Sequence, residues 1–152
     1  MQMFLVVPLL VLVNSAFAGE TATVSPCYQK AYTQLEMQQC AALDYRAADA
    51  ELNRVYRLIR RVYKDESVFL RKLQQAQRAW LRFRDAQFAL KFPHAEERLY
   101  YGSAFPMCAD TYKARLTLER VVQLKQWLQG REEGDGCNGS IKHRDDIQAV
   151  IQ

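Results

Sequence analysis

The feature that most constrains this chain is an apolar spacing in its middle. Apolar residues recur there at alternating steps of four and three, which is a helical period and not that of a strand. The positions are Phe69, Leu73, Ala76, Trp80, Phe83 and Leu90, with Gln87 in the remaining seam position. The spacing predicts a long helix with a narrow apolar seam. Arg84 and Gln77 lie beside this seam, whereas the opposite face carries Arg71, Arg78 and Arg82.

An earlier stretch has the same period and predicts a second long helix. Thr33 and Glu36 form a capping-box pattern, and nothing in the sequence breaks a helix from there to about Tyr63. The polar connection 64–67 is short, so we expect the two long helices to pack as antiparallel neighbours. The expected seam of the first helix consists of Ala41, Tyr45, Ala48, Leu52, Val55, Ile59 and Val62.

A third helix and a tail complete the predicted fold. The third helix should begin at Asp110 or Thr111, run to about Leu128 and stop at Gly130. The fold class is therefore all-α, with two long antiparallel helices and a third helix packed on them. Residues 33–129 form the helical domain and residues 19–32 an extended arm. Residues 130–152 are expected to be a flexible tail tethered through Cys137, with a short helix at 145–150.

The first 18 residues read as a secretory signal peptide. They carry no charged side chain, the run from Phe4 to Val13 is almost wholly apolar, and Ala16 and Ala18 are small residues before the expected cut. The alternative is a membrane anchor, but the run is short for a span of about 20 residues. The residue directly after the expected cut is Gly19 and not the cysteine that would take a lipid. We therefore expect a periplasmic or secreted protein without stable membrane insertion.

All four cysteines, Cys27, Cys40, Cys108 and Cys137, follow the expected signal peptide. An even count in an exported chain predicts two disulfides, for which three connectivities exist. The arm can fold back over the first helix and the tail can return along the third, so we expect Cys27–Cys40 and Cys108–Cys137. The other interpretation, a metal site, has little support, because the chain has no CxxC pair and only two histidines. We expect no cofactor.

Polar residues beside the two long seams should meet in a half-buried group. Asp49, Asn53 and Tyr56 flank the first seam at heights near those of Gln77 and Arg84. A guanidinium at the edge of an apolar stripe needs an acceptor. We predict that Arg84 is a structural residue paired with Asp49, or with Tyr45 or Asp44. Because deleting one member of such a partly buried pair leaves the other unpaired, we expect the removal of Arg84 to cost about 3–5 kcal/mol.

Four sequence patterns together resemble the LprI-like lysozyme-inhibitor family. They are Thr33-Gln-x-Glu-Met-x-x-Cys40-Ala, Ala48-Asp-x-Glu-Leu-Asn53-x-x-Tyr56, Leu73-x-x-Ala-Gln77-x-Ala-Trp80-x-x-Phe-Arg84-Asp85 and Thr111-x-x-x-Arg115-x-x-x-Glu119. The resemblance spans roughly residues 27–124. It implies a small, helical, exported protein whose named activity is the inhibition of lysozyme. The structural motif residues that it implies are Asp49, Asn53, Tyr56, Gln77, Trp80, Arg84, Asp85 and Arg115.

The chain departs from the family pattern at one cysteine. A cysteine usually follows the Arg84-Asp85 pair by a few residues, but Phe88 holds that place here. The family partner of the missing cysteine matches Cys108. Cys137 could replace the missing half, which agrees with the second disulfide expected above.

The leading functional hypothesis is a binding protein that blocks the cleft of lysozyme or a related muramidase. A glycosidase cleft holds two carboxylates, and a loop could plug it. The candidate partner contacts are the aromatic residues of the segment after the second helix, namely Phe92, Tyr100, Tyr101 and Phe105. Many lysozymes are strongly basic, so a chain of formal net charge +4 gains no long-range steering toward them. The contact must then be local, or the target is another hydrolase.

The alternative hypothesis uses the basic faces of the two long helices. One face carries Arg54, Arg57, Arg61 and Lys64, and the other carries Arg71, Arg78 and Arg82. These faces could bind anionic envelope polymers or acidic proteins, although an amphipathic helix must expose charge somewhere. An exported chain is not expected to bind nucleic acid.

Catalysis is not predicted by any residue pattern in the chain. His94 and His143 fall in a loop and in the tail, and neither has a serine or cysteine nucleophile beside it. Glu96 and Glu97 are adjacent and would diverge on a helix, and Asp44 and Asp49 are five residues apart and would lie on different faces. The sequence also has no phosphate-binding glycine loop. We therefore expect a non-enzymatic protein with no catalytic residues.

Overall fold

The computed structural model describes residues 25–97, 99–132, 134 and 136–151, and helices are the regular elements in that part of the chain. None of these helices has both the length and the hydropathy that a membrane span requires. The predicted signal peptide, residues 1–18, lies outside the described residues, as do residues 19–24 of the predicted arm. The all-α fold class is confirmed. The helices are a 3₁₀ helix at Pro26–Lys30, α1 at Gln34–Val62, α2 at Ser67–Lys91, α3 at Phe105–Gln129 and α4 at Arg144–Ile151.

Helix α1 begins with the predicted capping box. The Thr33 hydroxyl accepts a hydrogen bond from the Glu36 amide at 3.2 Å, and the Glu36 carboxylate accepts one from the Thr33 amide at 2.9 Å. The two bonds satisfy amide groups that a helix start leaves without partners. The predicted seam of α1 is buried at every position except Tyr45, which is half-buried. Local sequence therefore sets both the start and the inward face of α1.

Helices α1 and α3 run parallel and form the closest helix pair of the fold. Gln34 contacts Met107, and Glu51 bonds Lys125, so residue numbers increase together along both helices. Small buried residues at the contact let the two backbones approach. These are Ala41 and Ala48 on α1 and Ala109 and Ala114 on α3.

Helix α2 runs antiparallel to this pair, as predicted for α1 and α2, but it is less deeply packed than its seam suggests. Leu73 is the buried residue of α2, while Phe69 and Trp80 are half-buried against the core. Phe83 and Leu90 are exposed. The 4–3 period places an apolar stripe on α2, but α3 takes the close contact with α1 that the short turn predicted for α2.

The core lies where the C-terminal halves of α1 and α3 meet the start of α2 and the tail. Tyr63 is central: its hydroxyl donates to the Trp127 carbonyl at 3.2 Å and accepts from the Lys142 amide at 3.0 Å. The core consists of Leu52, Val55, Ile59, Val62, Tyr63, Leu73, Val121, Leu124 and Ile147.

The tail after α3 folds back onto this core. Gly130 ends α3 with φ +76°, and a Cβ at this position would lie 2.6 Å from the Arg144 Cα. The Arg131 amide donates to the Lys142 carbonyl at 2.9 Å, and the Trp127 indole donates to Ser140 at 3.1 Å. The expected short helix is present as α4, and its residue Ile147 is fully buried. The glycine-rich composition predicted a loosely attached segment, but Ile147 anchors it to the core.

One predicted disulfide is confirmed and the other is wrong. Cys27 and Cys40 are bonded, with 5.6 Å between their Cα atoms. Cys108 is an exposed free thiol, so the Cys108–Cys137 bond is not formed. Cys108 lies in the first turn of α3, a helix of 25 residues and about 37 Å. The tail bonds to the other end of α3 near Trp127, whereas a disulfide requires Cα atoms within about 7 Å.

The Cys27–Cys40 bond joins the arm to α1, and a side chain of the arm also reaches α3. The Tyr28 side chain is hydrogen-bonded to that of Thr111, and burial raises the pKa of the Tyr28 hydroxyl. The two links hold the 3₁₀ helix across the start of the α1–α3 pair.

Candidate partner-binding site

The loop between α2 and α3 is built around one buried aromatic ring. Phe92 follows the last residue of α2, and its amide still bonds the Phe88 carbonyl at 2.9 Å. Pro93 then prevents the helix from continuing. Four rings surround that of Phe92 at centroid distances of 5.3 to 6.0 Å, three of them edge-on or nearly so, and they belong to Phe88, Tyr101, Phe105 and Tyr112. Each such contact adds about 0.5–1.5 kcal/mol beyond the area it buries.

Three of the four predicted contact residues therefore hold the loop together. Phe92 is buried, and Tyr101 and Phe105 are half-buried and stacked on each other at 5.1 Å. The Tyr101 hydroxyl also accepts the His94 amide hydrogen at 3.2 Å. Tyr100 is the exception, because 56% of it is exposed. Its ring stacks on His94 at 4.2 Å, and His94 in turn pairs with Glu97.

Leu99 is a candidate contact that the sequence did not reveal. It is 76% exposed at the tip of the loop and has φ +66°, a left-handed conformation that is uncommon for a leucine. Such a conformation costs about 1–3 kcal/mol and persists only where the surrounding structure holds it. An isolated leucine in a loop gives no sequence signal for this φ. Leu99 and Tyr100 form the exposed tip, which we call the loop tip.

The polar residues that were predicted to meet beside the two apolar seams form separate pairs instead. The Asn53 amide donates to the Asp49 carboxylate at 3.0 Å within α1. The Arg84 guanidinium donates to its neighbour Asp85 at 3.2 Å and lies 5.4 Å from the centre of the Trp80 ring. The predicted acceptors of Arg84 on α1 are thus replaced by an acceptor on α2.

The register predicted for α1 and α2 is nevertheless visible in a cavity between them. Its volume is about 340 Å³, and Asp49 lines it together with Leu81 and Arg84. The remaining lining residues of the cavity are Tyr45, Arg46 and Ala50.

Two further residues of the predicted structural motif lie elsewhere. Tyr56 is half-buried against the core, and Arg115 lies on the exposed face of α3, where it pairs with Glu119 at 2.6 Å.

Gln77 bonds a residue that the sequence analysis missed. Its side-chain oxygen accepts from the Arg120 guanidinium of α3 at 3.2 Å, and Arg120 also donates to Gln123 at 3.1 Å. Burial lowers the pKa of Arg120. No pattern along α2 or α3 sets the register between the two helices, so the contact of Arg120 with Gln77 could not be assigned from sequence.

The described residues contain no group of three histidine, cysteine, aspartate or glutamate side chains placed to hold a metal ion. His94 and His143 lie apart, in the loop and beside Arg131 in the tail.

Comparison with known proteins identifies the family. Residues 25–124 match the family model described as "Lysozyme inhibitor LprI". An uncharacterized protein of Rhizobium meliloti (strain 1021) is 36% identical over 118 residues, which cover 70% of this chain and 82% of that protein. No solved structure matches the chain. The matched range includes α1, α2, the loop and most of α3, and the chain therefore belongs to the LprI lysozyme-inhibitor family.

Proposed function

We propose that this protein is an exported, non-enzymatic inhibitor of lysozyme or a related peptidoglycan muramidase. Membership in the LprI family supports the class of activity and implies a protein partner. The sequence pattern of residues 1–18 supports export to the periplasm or beyond the cell. The single structural observation that carries the proposal is the loop tip, Leu99 and Tyr100, presented on a base of packed aromatic rings.

The loop tip has the properties needed to enter an enzyme cleft. Binding is weakened when a loop must be ordered on association, and a loop already held in its bound conformation avoids that loss. The packing of Phe92 with Tyr101 and Phe105 orders the base of this loop in the free protein. A muramidase cleft is concave and binds sugar rings between its two carboxylates. An apolar and aromatic tip can occupy such a cleft and exclude the substrate.

The charge of the protein favours a contact of short range. A formal net charge of +4 gives no long-range attraction toward a basic lysozyme. Leu99 carries no charge, and Tyr100 presents an aromatic ring. Inhibition through this tip should therefore change little between low and moderate salt, because screening acts on charge pairs.

A lysis assay with a panel of muramidases tests the proposal. The variant Leu99→Gly with Tyr100→Ala removes both tip side chains, and glycine accepts the left-handed φ. We expect the wild-type protein to inhibit at least one enzyme and the tip variant to inhibit it at least ten-fold less well.

The control is Tyr32→Ala, which removes an aromatic side chain that is also exposed but lies beside the start of α1. It should inhibit within about two-fold of wild type. Equal inhibition by the tip variant and wild type would show that another surface binds the enzyme. Absence of inhibition by the wild-type protein across the panel would reject the proposed function.

A further inference from the structure

The last turns of α1 and the turn that follows carry four cations on one side, three of them in the helix and Lys64 just after its end. Arg57, Arg60, Arg61 and Lys64 are spaced by three, one and three residues, which places them on adjacent turns of the same side of a helix. All four are exposed. Together with Leu70 of α2 they line one open surface cavity of about 420 Å³. We call this group the cationic cluster.

No carboxylate neutralises the cationic cluster among the residues that the structure describes. Some other cations on the surface are paired, for example Arg54 with Glu51 at 2.6 Å and Arg144 with Glu132 at 3.1 Å. Glu66, in the turn that follows α1, lies 3.8 Å from Lys142 of the tail. Asp65 follows Lys64 in the turn but forms no ion pair with it. The four positive charges therefore act together on whatever enters the cavity.

This arrangement is unfavourable for the free protein. Arg57 and Arg61 are like charges four residues apart within α1, and such a pair destabilises a helix. Lys64, just after the helix end, places a further positive charge four residues from Arg60. The negative end of the α1 macrodipole offsets part of the repulsion for the last turn, which contains Arg60 and Arg61. Arg57 lies a full turn earlier and receives less of this compensation. A bound polyanion would relieve the repulsion at all four positions.

The chemistry of the cluster fits phosphate groups. Three of its members are arginines, whose planar guanidinium groups bind phosphate oxygens through two parallel hydrogen bonds. Lys64 adds a mobile point charge at the edge of the cavity. The open cavity of about 420 Å³ has room for more than one phosphate group. We propose that the cationic cluster binds clustered phosphate groups, as carried by a polyphosphate or an anionic lipid surface, independently of the loop tip.

Titration calorimetry with tripolyphosphate, and co-sedimentation with vesicles, tests this site on the full mature chain. The variant Arg57→Gln with Arg61→Gln removes two cluster charges. The matched control, Arg78→Gln with Arg82→Gln, removes two exposed arginines of α2 and lowers the net charge equally. We expect the cluster variant to bind tripolyphosphate at least ten-fold more weakly than wild type. The α2 control should stay within two-fold of wild type.

A second cluster variant tests whether weaker binding comes from the lost charges and not from misfolding. Arg60→Gln with Lys64→Gln removes the other two charges and should weaken binding to a similar extent, while circular dichroism of all variants stays that of wild type. Equal weakening by the cluster variants and the α2 control would show a general charge effect and overturn the site. Absence of binding by the wild-type protein to both tripolyphosphate and phosphatidylglycerol vesicles would also overturn it.

The two ligands distinguish the sources of phosphate. Binding to phosphatidylglycerol vesicles without binding to tripolyphosphate assigns the site to a lipid surface, and the reverse assigns it to a free polyphosphate chain. Phosphatidylcholine vesicles, which carry no net charge, should not bind. Polyglutamate supplies carboxylates in place of phosphates, and binding to it as tight as to tripolyphosphate would overturn the phosphate assignment in favour of an acidic protein.

Discussion

At the scale of single residues, Glu51 of α1 pairs with two cations, and one of them lies on α3. Its carboxylate bonds Arg54 of the same helix at 2.6 Å and Lys125 of α3 at 3.0 Å. The hydrogen bonds from Arg54 and then Lys125 lower the pKa of Glu51 to about 2. A lowered pKa in the folded state means that the carboxylate stabilises the fold above its unfolded pKa. This stabilisation is lost as the pH falls from about 4.5 toward 2.

Glu51→Gln should therefore make the free energy of unfolding depend less on pH as the solution becomes acidic. Urea unfolding at several pH values between 6 and 2.5 measures this. We expect the variant to be less stable than wild type at pH 6 by roughly 0.5–1 kcal/mol, because the pair is partly solvated. The difference should shrink as the pH falls. A constant difference across this range would show that Glu51 acts through packing and not through its charge.

Arg84 is anchored within α2 and shielded from solvent. Only 14% of its side chain is exposed, and it lies against the Trp80 ring. Its acceptor Asp85 is 68% exposed, so that carboxylate stays hydrated when Arg84 is removed. The penalty for a buried unpaired charge therefore does not apply, and the expected cost falls below the 3–5 kcal/mol of a buried pair.

Arg84→Ala should lower the free energy of unfolding by about 1–2 kcal/mol through lost packing and cation–π contact. Arg82→Ala removes an exposed arginine two residues earlier, and it should change stability by no more than about 0.5 kcal/mol. Denaturant unfolding compares the two variants. A loss of partner binding in Arg84→Ala at wild-type stability would place Arg84 in a binding site instead.

At the scale of elements, the tail depends on the close approach of Gly130 to α4. A Cβ on Gly130 would lie 2.6 Å from the Arg144 Cα and 2.9 Å from its nitrogen, which are backbone atoms that cannot rotate away. Gly134 also has a positive φ, of +85°, but a Cβ there would meet nothing within 4 Å. Comparing substitutions at the two glycines therefore separates the strain of a positive φ from the clash of a new Cβ with the Arg144 backbone.

Gly130→Ala should destabilise the protein more than Gly134→Ala, by about 1–3 kcal/mol, the usual range for an overpacked site. The excess should appear as faster hydrogen exchange at Lys142 and faster proteolysis of the tail, since Ile147 would leave the core. Equal effects of the two substitutions would mean that the tail does not need the close approach.

The arm is a second element whose attachment can be tested. The Cys27–Cys40 bond closes a loop with a sequence separation of 13, and a loop of this size stabilises a fold by about 3 kcal/mol. Cys27→Ser with Cys40→Ser should lower the melting temperature accordingly and leave the helix content nearly unchanged. Cys108→Ser should have little effect, because Cys108 is an exposed thiol. Recovery of a Cys108-containing disulfide peptide from the native monomer would contradict the observed connectivity.

At the scale of the whole molecule, the loop tip and the cationic cluster lie at opposite ends of α2. The cluster borders Leu70 near the start of this helix, and the loop follows its last residue, Lys91. Helix α2 has 25 residues and is about 37 Å long. This distance exceeds a Debye length of about 8 Å at physiological salt, so charges at one end are screened from the other.

The two surfaces should therefore be separable by mutation. The tip variant should lose inhibition and keep tripolyphosphate binding, and the cluster variant should do the reverse. Raising the salt from 50 to 300 mM should weaken tripolyphosphate binding steeply and inhibition by less than about three-fold. Joint loss of both activities in either variant would show that one surface serves both ligands.

The fold class and the family could be predicted from the sequence, because both depend on local or ordered patterns. The Thr33–Glu36 capping box, the seam of α1 and the stop at Gly130 each involve residues within one or two helical turns of one another. The loop tip could not be predicted. The aromatic residues of this segment were recognised, but which ring is buried and which is exposed depends on Phe88 and Tyr112 of the flanking helices.

The sequence by itself determined that the chain is helical, where α1 begins and which face of α1 is buried, since these follow from spacing along a single helix. Only the tertiary structure decided that α3 packs closest to α1, that Asp85 binds Arg84 and that Cys108 stays free. Those outcomes depend on the sizes of side chains brought together from distant parts of the chain. Ala48 and Ala114 permit close contact between α1 and α3, and the length of α3 keeps Cys108 far from the end to which the tail returns. Pattern along one helix carries no information about such distances.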